Sequence, residues 1–286
     1  MNERDFIAAL RALASDPAAR GLDDDAAVIP LGSETLVLTH DTLVEGVHVR
    51  ADEDAADIAW KLVAVNLSDL AAKGAQPIGV LVSHMLGDDD DAFVAGLGEV
   101  LRACDVPLLG GDTVRAQGRR VWGCTAIGRA THIPVPDRRG ARPGDAVYVS
   151  GPLGLAMLGL EERGSGSVAD LAYRRPIPLL ALGRALAPQV TAMMDISDGL
   201  LLDATRLAQA SGCTLAIESA PLAPLTPAGR FDEALRWGDD YQLLLTGPQG
   251  LDGSFPVTRI GTVIEAGPAP LTLDGAAAQG PLGYSH

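Results

Sequence analysis

Hydrophobic residues recur along the chain at two spacings, which predict helices and strands. In one early stretch they lie near helical spacing: Ile58, Leu62, Val65 and Leu70. This pattern predicts a helix over residues 54–73 that ends at Gly74. The aspartates at 88–91 suit the positive end of a helix dipole, so a second helix is predicted from there to about residue 103, with no ligand role for those side chains. Further helices are predicted at 151–160, 176–186 and 198–210.

Short apolar runs predict the strands of the chain. They cover residues 34–43, 78–86, 106–109, 121–127, 146–150, 191–196, 241–246, 257–264 and 271–273. Residues 137–144 are basic and rich in turn formers, so we place a boundary there, between domains at 1–138 and 139–286. Strands and helices are mixed without strict alternation. This predicts an α+β (mixed α/β) fold of two domains, each a mostly antiparallel sheet with helices packed on one face.

The composition and the cysteine spacing indicate the cellular location of the protein. Hydrophobic residues make up 47% of the 286 residues and aromatic residues only 4%, so the core must be mostly aliphatic. No apolar run reaches the length of a membrane span, and the charged N-terminus lacks the apolar stretch of a signal peptide. Three isolated cysteines form neither a zinc motif nor a disulfide framework: Cys104, Cys124 and Cys213. We therefore expect a cytoplasmic protein without a membrane partner.

The formal net charge of −15 restricts the possible ligands. Proteins that bind nucleic acid normally carry a basic surface, so no nucleic-acid partner is expected. A phosphorylated substrate would be repelled unless cations lie between it and the protein. Phosphate chemistry is therefore compatible with this chain only through metal ions.

Five short acidic motifs are scattered through the chain, and most of them end a hydrophobic run. They occupy residues 23–28, 40–42, 66–69, 110–113 and 195–199. Carboxylate oxygens hold Mg²⁺, and Mg²⁺ in turn usually holds substrate phosphates. The pattern predicts a metal-assisted phosphoryl-transfer site built from distant parts of the chain. The sequence contains no Walker phosphate loop, no dinucleotide-binding glycine motif and no protein-kinase signature, so any ATP chemistry needs another scaffold.

Each motif taken alone also has a structural interpretation. Residues 23–25 could form a surface turn, Asp41 could form an Asx-turn, and Ser197 or Asp198 could be a helix N-cap. His48 could be a structural histidine, and residues 237–241 an ordinary loop. For two motifs, a functional role is favoured more strongly over a purely structural one. Asp69 follows Val65 by four residues and should face the buried side of its helix, and residues 110–111 predict a glycine turn after a strand, suited to backbone approach to phosphate.

Taken together, the motifs resemble the thiamine-monophosphate kinase family, in the superfamily of aminoimidazole ribonucleotide synthetase. The strongest segments are residues 40–48, 61–75, 109–113, 141–145 and 195–200. The resemblance implies direct, in-line transfer of the γ-phosphoryl group of ATP to thiamine monophosphate, the final step in making thiamine diphosphate. It also implies several Mg²⁺ ions, no covalent catalytic nucleophile, ATP near the domain junction, and a homodimer formed through the sheet of the N-terminal domain.

The resemblance also assigns roles to individual residues. The implied Mg²⁺ ligands are Asp25, Thr39, Asp41, Asp69, Asp112, Asp195 and Asp198. The implied ATP contacts are Gly111, Asp112, Arg138 and Ser197. The implied contacts to thiamine monophosphate are His48, Asp239 and Tyr284. The sequence departs from the family pattern at His40, Cys104 and Asp239.

Other members of the superfamily are the nearest alternatives. The hydrogenase maturation factor is expected to end in a functional cysteine, whereas this sequence ends in residues 283–286 without one. Selenophosphate synthetase needs a reactive cysteine or selenocysteine near the N-terminus, and the first cysteine here is Cys104. A nucleotide- or thiamine-phosphate-binding protein without turnover is the alternative from another class.

Overall fold

The computed structural model describes residues 3–285. The helices are α1 (Glu3–Arg11), α2 (Ala55–Ala72), α3 (Asp90–Cys104), α4 (Leu155–Glu161), α5 (Val168–Arg174), α6 (Leu180–Leu186), α7 (Leu200–Ser211), α8 (Ser219–Leu222) and α9 (Phe231–Trp237). The strands are β1 (Ala27–Leu31), β2 (Glu34–Val44), β3 (Ala75–Met85), β4 (Leu108–Val114), β5 (Val121–Ala130), β6 (Ala146–Val149), β7 (Ala192–Asp195), β8 (Thr214–Ile217), β9 (Leu243–Gly247), β10 (Thr258–Ile264), β11 (Leu271–Leu273) and β12 (Ala276–Ala277).

Within residues 3–285 the strands form two sheets, one in each half of the chain. The N-terminal sheet has the order β1-β2-β5-β3-β4, and all its neighbours are antiparallel except β3 and β4. The C-terminal sheet has the order β12-β11-β8-β10-β6-β9-β7, in which β8 and β11 form the parallel pair. The predicted α+β fold with mostly antiparallel sheets is confirmed.

Helix α2 lies between the two sheets and belongs to the core of both halves. Asp54 caps its N-terminus by accepting a hydrogen bond from the Ala56 amide at 2.8 Å, and Gly74 ends it with a φ of +58°. Nearly every residue of the helix is buried, because it packs against β2 and β5 on one side and against β7 and α6 on the other. The close fit to α6 requires Gly183, where a Cβ atom would lie 1.9 Å from the Ala71 carbonyl oxygen.

Strand β4 differs from its prediction. The apolar run at 106–109 predicts a strand that ends before the glycines, whereas β4 continues through them to Val114. The expected glycine turn is therefore wrong. A Cβ atom at Gly111 would lie 1.8 Å from the Val82 carbonyl oxygen, so glycine is needed there for β4 to pair with β3.

Prolines and short apolar segments explain most other differences. The helix predicted at 176–186 begins only at Leu180, because Pro176 and Pro178 disfavour helical conformation in the residues before them. The helices expected from residues 151 and 198 begin at Leu155 and Leu200. Seven elements were not predicted: α1, α5, α8, α9, β1, β8 and β12. Among the described residues, no helix combines the length and the apolar character needed to cross a bilayer.

Candidate active site

Three of the predicted metal ligands meet where the two halves of the chain join. Asp25 lies just before β1, Asp69 lies in the last turns of α2, and Asp195 is the last residue of β7. One carboxylate oxygen from each residue can be chosen so that all three oxygens lie within 4.8 Å of one another. We call this group the carboxylate cluster. The cluster depends on helix α2, because the buried position of this helix between the sheets brings Asp69 close to both Asp25 and Asp195.

Two further predicted ligands, Thr39 and Asp41, lie beside the cluster on β2. The Thr39 hydroxyl donates a hydrogen bond to the Asp69 carboxylate and lies 3.3 Å from the Asp25 carbonyl oxygen. The Asp41 amide donates to the Asn66 side-chain oxygen at 2.9 Å, which fixes β2 against α2. Asn66 belongs to the acidic motif at 66–69 but was given no role of its own from the sequence, although an amide side chain on a mostly apolar helix is a usable signal.

The electrostatics of the cluster favour a bound cation. Burial, and then the charge of Asp25, raises the pKa of Asp195 to about 8. Burial, and then the charges of Asp41 and Asp195, raises the pKa of Asp69 well above its usual range. Burial also raises the pKa of Asp41 to about 6. Oxygen donors of this kind are those that Mg²⁺ takes in proteins, so the donor set fits that ion.

Asp25 differs from the other two carboxylates because it has basic partners. Although burial acts in the opposite direction, the charges of Arg138 and Lys73 lower the pKa of Asp25 to about 2. The Lys73 ammonium lies 2.7 Å from Asp25 and 2.5 Å from Asp24, inside the protein, and Arg20 also pairs with Asp24. Asp24 belongs to an acidic motif that the sequence analysis singled out, but its pairing with Lys73, the C-cap residue of α2, was missed.

The turn after β7 carries two more predicted residues, Ser197 and Asp198. Their backbone amides both donate to the carboxylate of Asp203, at 3.1 and 3.0 Å. The Asp198 carboxylate pairs with Arg206. Neither residue is the N-cap of α7, since Gly199 occupies that position. Asp203, which the sequence did not single out, therefore holds the turn in place.

The structure does not bring Asp112 into the cluster. Asp112 pairs in register with Ser83 of β3, and Ser83 pairs with Gly123 of β5. This row alternates with the buried row of Val82 and Cys124, which faces α2. By register, Asp112 and the cluster thus belong to opposite faces of the N-terminal sheet, and all of β4 is exposed.

The predicted acceptor contacts lie at the turn after β7 and at the first half of α2. The Asp239 amide donates to the Ser197 carbonyl at 2.7 Å, and the Tyr284 amide donates to the Asp198 carbonyl at 2.9 Å. The Asp239 carboxylate pairs with Lys61 and accepts a hydrogen bond from the Tyr241 hydroxyl at 2.9 Å. His48 follows β2 and accepts from the Val44 amide at 3.0 Å. Asp239 and Tyr284 therefore contact the turn after β7, and Asp239 and His48 both contact Lys61 of α2.

Two family models match the halves of the chain. The model described as "AIR synthase related protein, N-terminal domain" matches residues 23–130, and that described as "AIR synthase related protein, C-terminal domain" matches residues 142–252. Asp25 and Asp69 of the carboxylate cluster lie within the first match, and Asp195 lies within the second. The fold and the two-domain organisation are therefore those of AIR synthase related proteins.

Similar curated proteins show which family of AIR synthase related proteins the chain belongs to. The thiamine-monophosphate kinase of Caulobacter vibrioides is 41% identical over 252 residues, which cover 80% of this chain and 71% of that protein. The chain belongs to the thiamine-monophosphate kinase family. The Escherichia coli K12 family member is 36% identical over 83% of this chain and 79% of its own length.

Solved structures of this family superpose on the whole chain. A thiamine monophosphate kinase from Aquifex aeolicus has a TM-score of 0.82 at 29% identity and covers 97% of this chain and 99% of its own. A structure described as "AaThiL complexed with AMPPCP and TMP" has a TM-score of 0.89 at 29% identity, with coverage of 100% and 97%. An Escherichia coli HypE hydrogenase maturation protein shares the fold at 21% identity and a TM-score of 0.69.

Proposed function

We propose that this chain transfers the γ-phosphoryl group of ATP to thiamine monophosphate and so makes thiamine diphosphate, the last step in the biosynthesis of that cofactor. The observation that carries the proposal is the buried carboxylate cluster at the domain junction of a chain from the thiamine-monophosphate kinase family. A related structure in complex with AMPPCP and TMP aligns with the entire chain, which supports the choice of both substrates.

The carboxylate cluster is the proposed site for Mg²⁺. Asp25, Asp69 and Asp195 would hold the ions, with Thr39 and Asp41 beside them. When bound, Mg²⁺ would neutralise the phosphates of ATP and the charge that develops during transfer. Asp198 stays a proposed ligand, although in this structure its carboxylate is paired with Arg206.

The chain's own side chains would orient the substrates. Arg138 holds Asp25 and is proposed, with Ser197 and Gly111, to contact ATP. His48, Asp239 and Tyr284 would contact the acceptor, and Tyr284, which is 43% exposed, is proposed to stack on a thiamine ring. Among the described residues, the site contains no glycine-rich phosphate loop with a lysine and no nucleophile paired with a base. This favours direct transfer without a phosphoenzyme.

A homodimer formed through the N-terminal sheet is part of the proposal. The outer side of this sheet exposes several apolar side chains: Leu81, Leu109, Val114 and Val121. A partner subunit on this face would cover them together with Asp112. The role of Asp112 as a metal and ATP ligand therefore depends on that dimer. We also propose a cytoplasmic location, where the three free cysteines would stay reduced.

A coupled assay of ATP consumption tests the proposed activity. Thiamine, thiamine monophosphate and an aminoimidazole-type substrate should each be offered with ATP, with and without Mg²⁺. We expect ATP consumption only when thiamine monophosphate and Mg²⁺ are both present. Consumption that does not depend on the acceptor, or that prefers another acceptor, would contradict the proposal, and none under any condition would favour a binding protein.

A further inference from the structure

Lys61 is a buried lysine to which the proposed reaction assigns no role. It lies in the first half of α2, and only 3% of its side chain is exposed. Its ammonium group pairs with the carboxylate of Asp239 and lies 3.5 Å from the His48 carbonyl oxygen. It also lies 4.3 Å from the centroid of the Tyr173 ring, within the range of a cation–π contact.

The partners of Lys61 come from both halves of the chain. His48 follows β2 in the N-terminal half, whereas Tyr173 and Asp239 belong to the C-terminal half. Two of the three, His48 and Asp239, are the proposed acceptor contacts. A charge taken out of water is costly unless it is well paired, so one ammonium group shared by these partners fixes their relative positions.

An open cavity of about 360 Å³ lies against Tyr173. Its lining comes from the loop after β2, which includes Val47 and Arg50, and from Leu160 and Tyr173 of helices α4 and α5. Tyr173 thus forms a wall of the cavity and also holds the Lys61 ammonium group. The cavity offers aliphatic side chains and the exposed part of Tyr173, next to the loop that carries the proposed acceptor contact His48, and such apolar surroundings suit a heteroaromatic ring.

The length of α2 relates this cavity to the carboxylate cluster. Lys61 and Asp69 are separated by eight residues, which places their Cα atoms about 12 Å apart along the helix. Thiamine monophosphate carries its phosphate at one end and its rings at the other. A molecule with its phosphate at the cluster would therefore extend its rings towards Lys61 and Tyr173.

We infer that Lys61 is a positioning residue for the phosphate acceptor, and that the cavity against Tyr173 receives one of the acceptor's two rings, while Tyr284 stacks on the other. The inference rests on the proposed function. The thiazolium ring of thiamine is a fixed cation, which an unpaired ammonium group would repel. Because Asp239 neutralises Lys61, the lysine orients Asp239, Tyr173 and the His48 backbone without opposing the ring.

Steady-state kinetics of four variants test this inference. Lys61→Met keeps an unbranched side chain but removes the charge, and Lys61→Arg restores it. Tyr173→Leu removes the aromatic wall, and Arg230→Met is the control, since Arg230 pairs on the surface with Glu161 and Glu233. We expect Lys61→Met and Tyr173→Leu to raise the KM for thiamine monophosphate about tenfold, which corresponds to about 1.4 kcal/mol. The KM for ATP should barely change, and Lys61→Arg should recover most of the loss.

The outcomes separate the inference from the proposed function. An unchanged KM for thiamine monophosphate in Lys61→Met, or equal rises for both substrates, would overturn the inference alone. If Lys61→Met does not fold, Tyr173→Leu decides, and an unchanged KM for thiamine monophosphate there would also overturn it. A wild-type chain that consumes no ATP with thiamine monophosphate would overturn the proposed function and the inference together.

Discussion

The buried acidic residues at the domain junction fall into two kinds. Asp25 is held between Lys73 and Arg138, so its charge is balanced by the protein itself. Asp69 and Asp195 have no basic partner among the ion pairs of residues 5–285, and each faces other carboxylates. Such groups are costly to ionise inside a protein. A shared divalent cation is the simplest physical reason for placing them together.

Replacing Asp69 by Asn tests this interpretation at a single residue. The amide keeps the size of the side chain but removes a charge that the cluster needs to bind metal. We expect turnover to be lost while the thermal unfolding temperature stays close to that of the wild type, or rises, because repulsion with Asp41 and Asp195 is relieved. Asp252→Asn on the exposed surface is the matched control. Wild-type turnover of Asp69→Asn at limiting Mg²⁺ would show that the cluster does not share a metal.

The raised pKa values predict how the metal-free chain responds to pH. Between the ordinary pKa of 3.8 and the folded value of about 8, Asp195 holds a proton in the folded chain that the unfolded chain has lost. The free energy of unfolding should therefore fall as pH rises through this window. Asp41 and Asp203, raised mainly by burial to about 6, act in the same direction. Asp25 has the opposite sign, but its window lies between about 2 and 3.8.

Urea unfolding in a chelator at pH of about 5 and about 8 measures this effect. We expect a lower midpoint at the higher pH, and a larger recovery on adding Mg²⁺ there than at the lower pH, since Mg²⁺ binds the deprotonated cluster. A midpoint that is higher at pH 8 without metal would contradict the assigned direction of the pKa shifts.

At the scale of single elements, α2 was predictable and β4 was not. The apolar spacing and Gly74 mark α2 to within a residue or two, and the spacing of Val65 and Asp69 indicates that Asp69 is buried. Strand β4 extends through two glycines that local propensity assigns to a turn, and only pairing with β3 explains them. The same limit applies to the site, because the partnership of Lys73 with Asp24 depends on packing that no local pattern encodes.

The contact between α2 and α3 gives a prediction with a control in the same helix. A Cβ atom at Gly96 would lie 2.2 Å from the Ala56 carbonyl oxygen, whereas at Gly98 it would meet only the flexible end of Arg102 at 3.3 Å. We expect Gly96→Ala to lower the free energy of unfolding by about 1–3 kcal/mol through overpacking. Gly98→Ala should be neutral or stabilise by about 0.5–1 kcal/mol, because alanine favours helix. Equal effects in urea unfolding would mean that α2 and α3 do not pack closely.

At the scale of the whole molecule, the site depends on how two sheets share one helix. Asp25 comes from the N-terminal half and Asp195 from the C-terminal sheet, and α2 carries Asp69 to both of them. In the proposed function, cations at the cluster would let a chain with a net charge of −15 receive ATP and a phosphorylated acceptor. The helix shared by the two sheets, the negative net charge and the proposed metal-assisted phosphoryl transfer are therefore consistent with one another.

The proposed dimer gives a prediction for the assembled protein. Leu81 lies on the outer row of β3 and is 37% exposed, whereas Val94 on α3 is 65% exposed on the other side of the sheet. If the N-terminal sheets pair, Leu81→Asp should produce monomers of 29.5 kDa in light scattering, and Val94→Asp should keep twice that mass. A wild-type chain that is monomeric at micromolar concentration would contradict the dimer.

The most direct test of the central claim follows the transferred phosphoryl group. The purified chain is mixed with γ-labelled ATP, Mg²⁺ and thiamine monophosphate, and the products are separated after a single turnover. We predict that the label appears in thiamine diphosphate, that none stays on the protein, and that Asp69→Asn forms no labelled product. Labelled protein in the absence of acceptor, or label released only as inorganic phosphate, would contradict direct transfer at the carboxylate cluster.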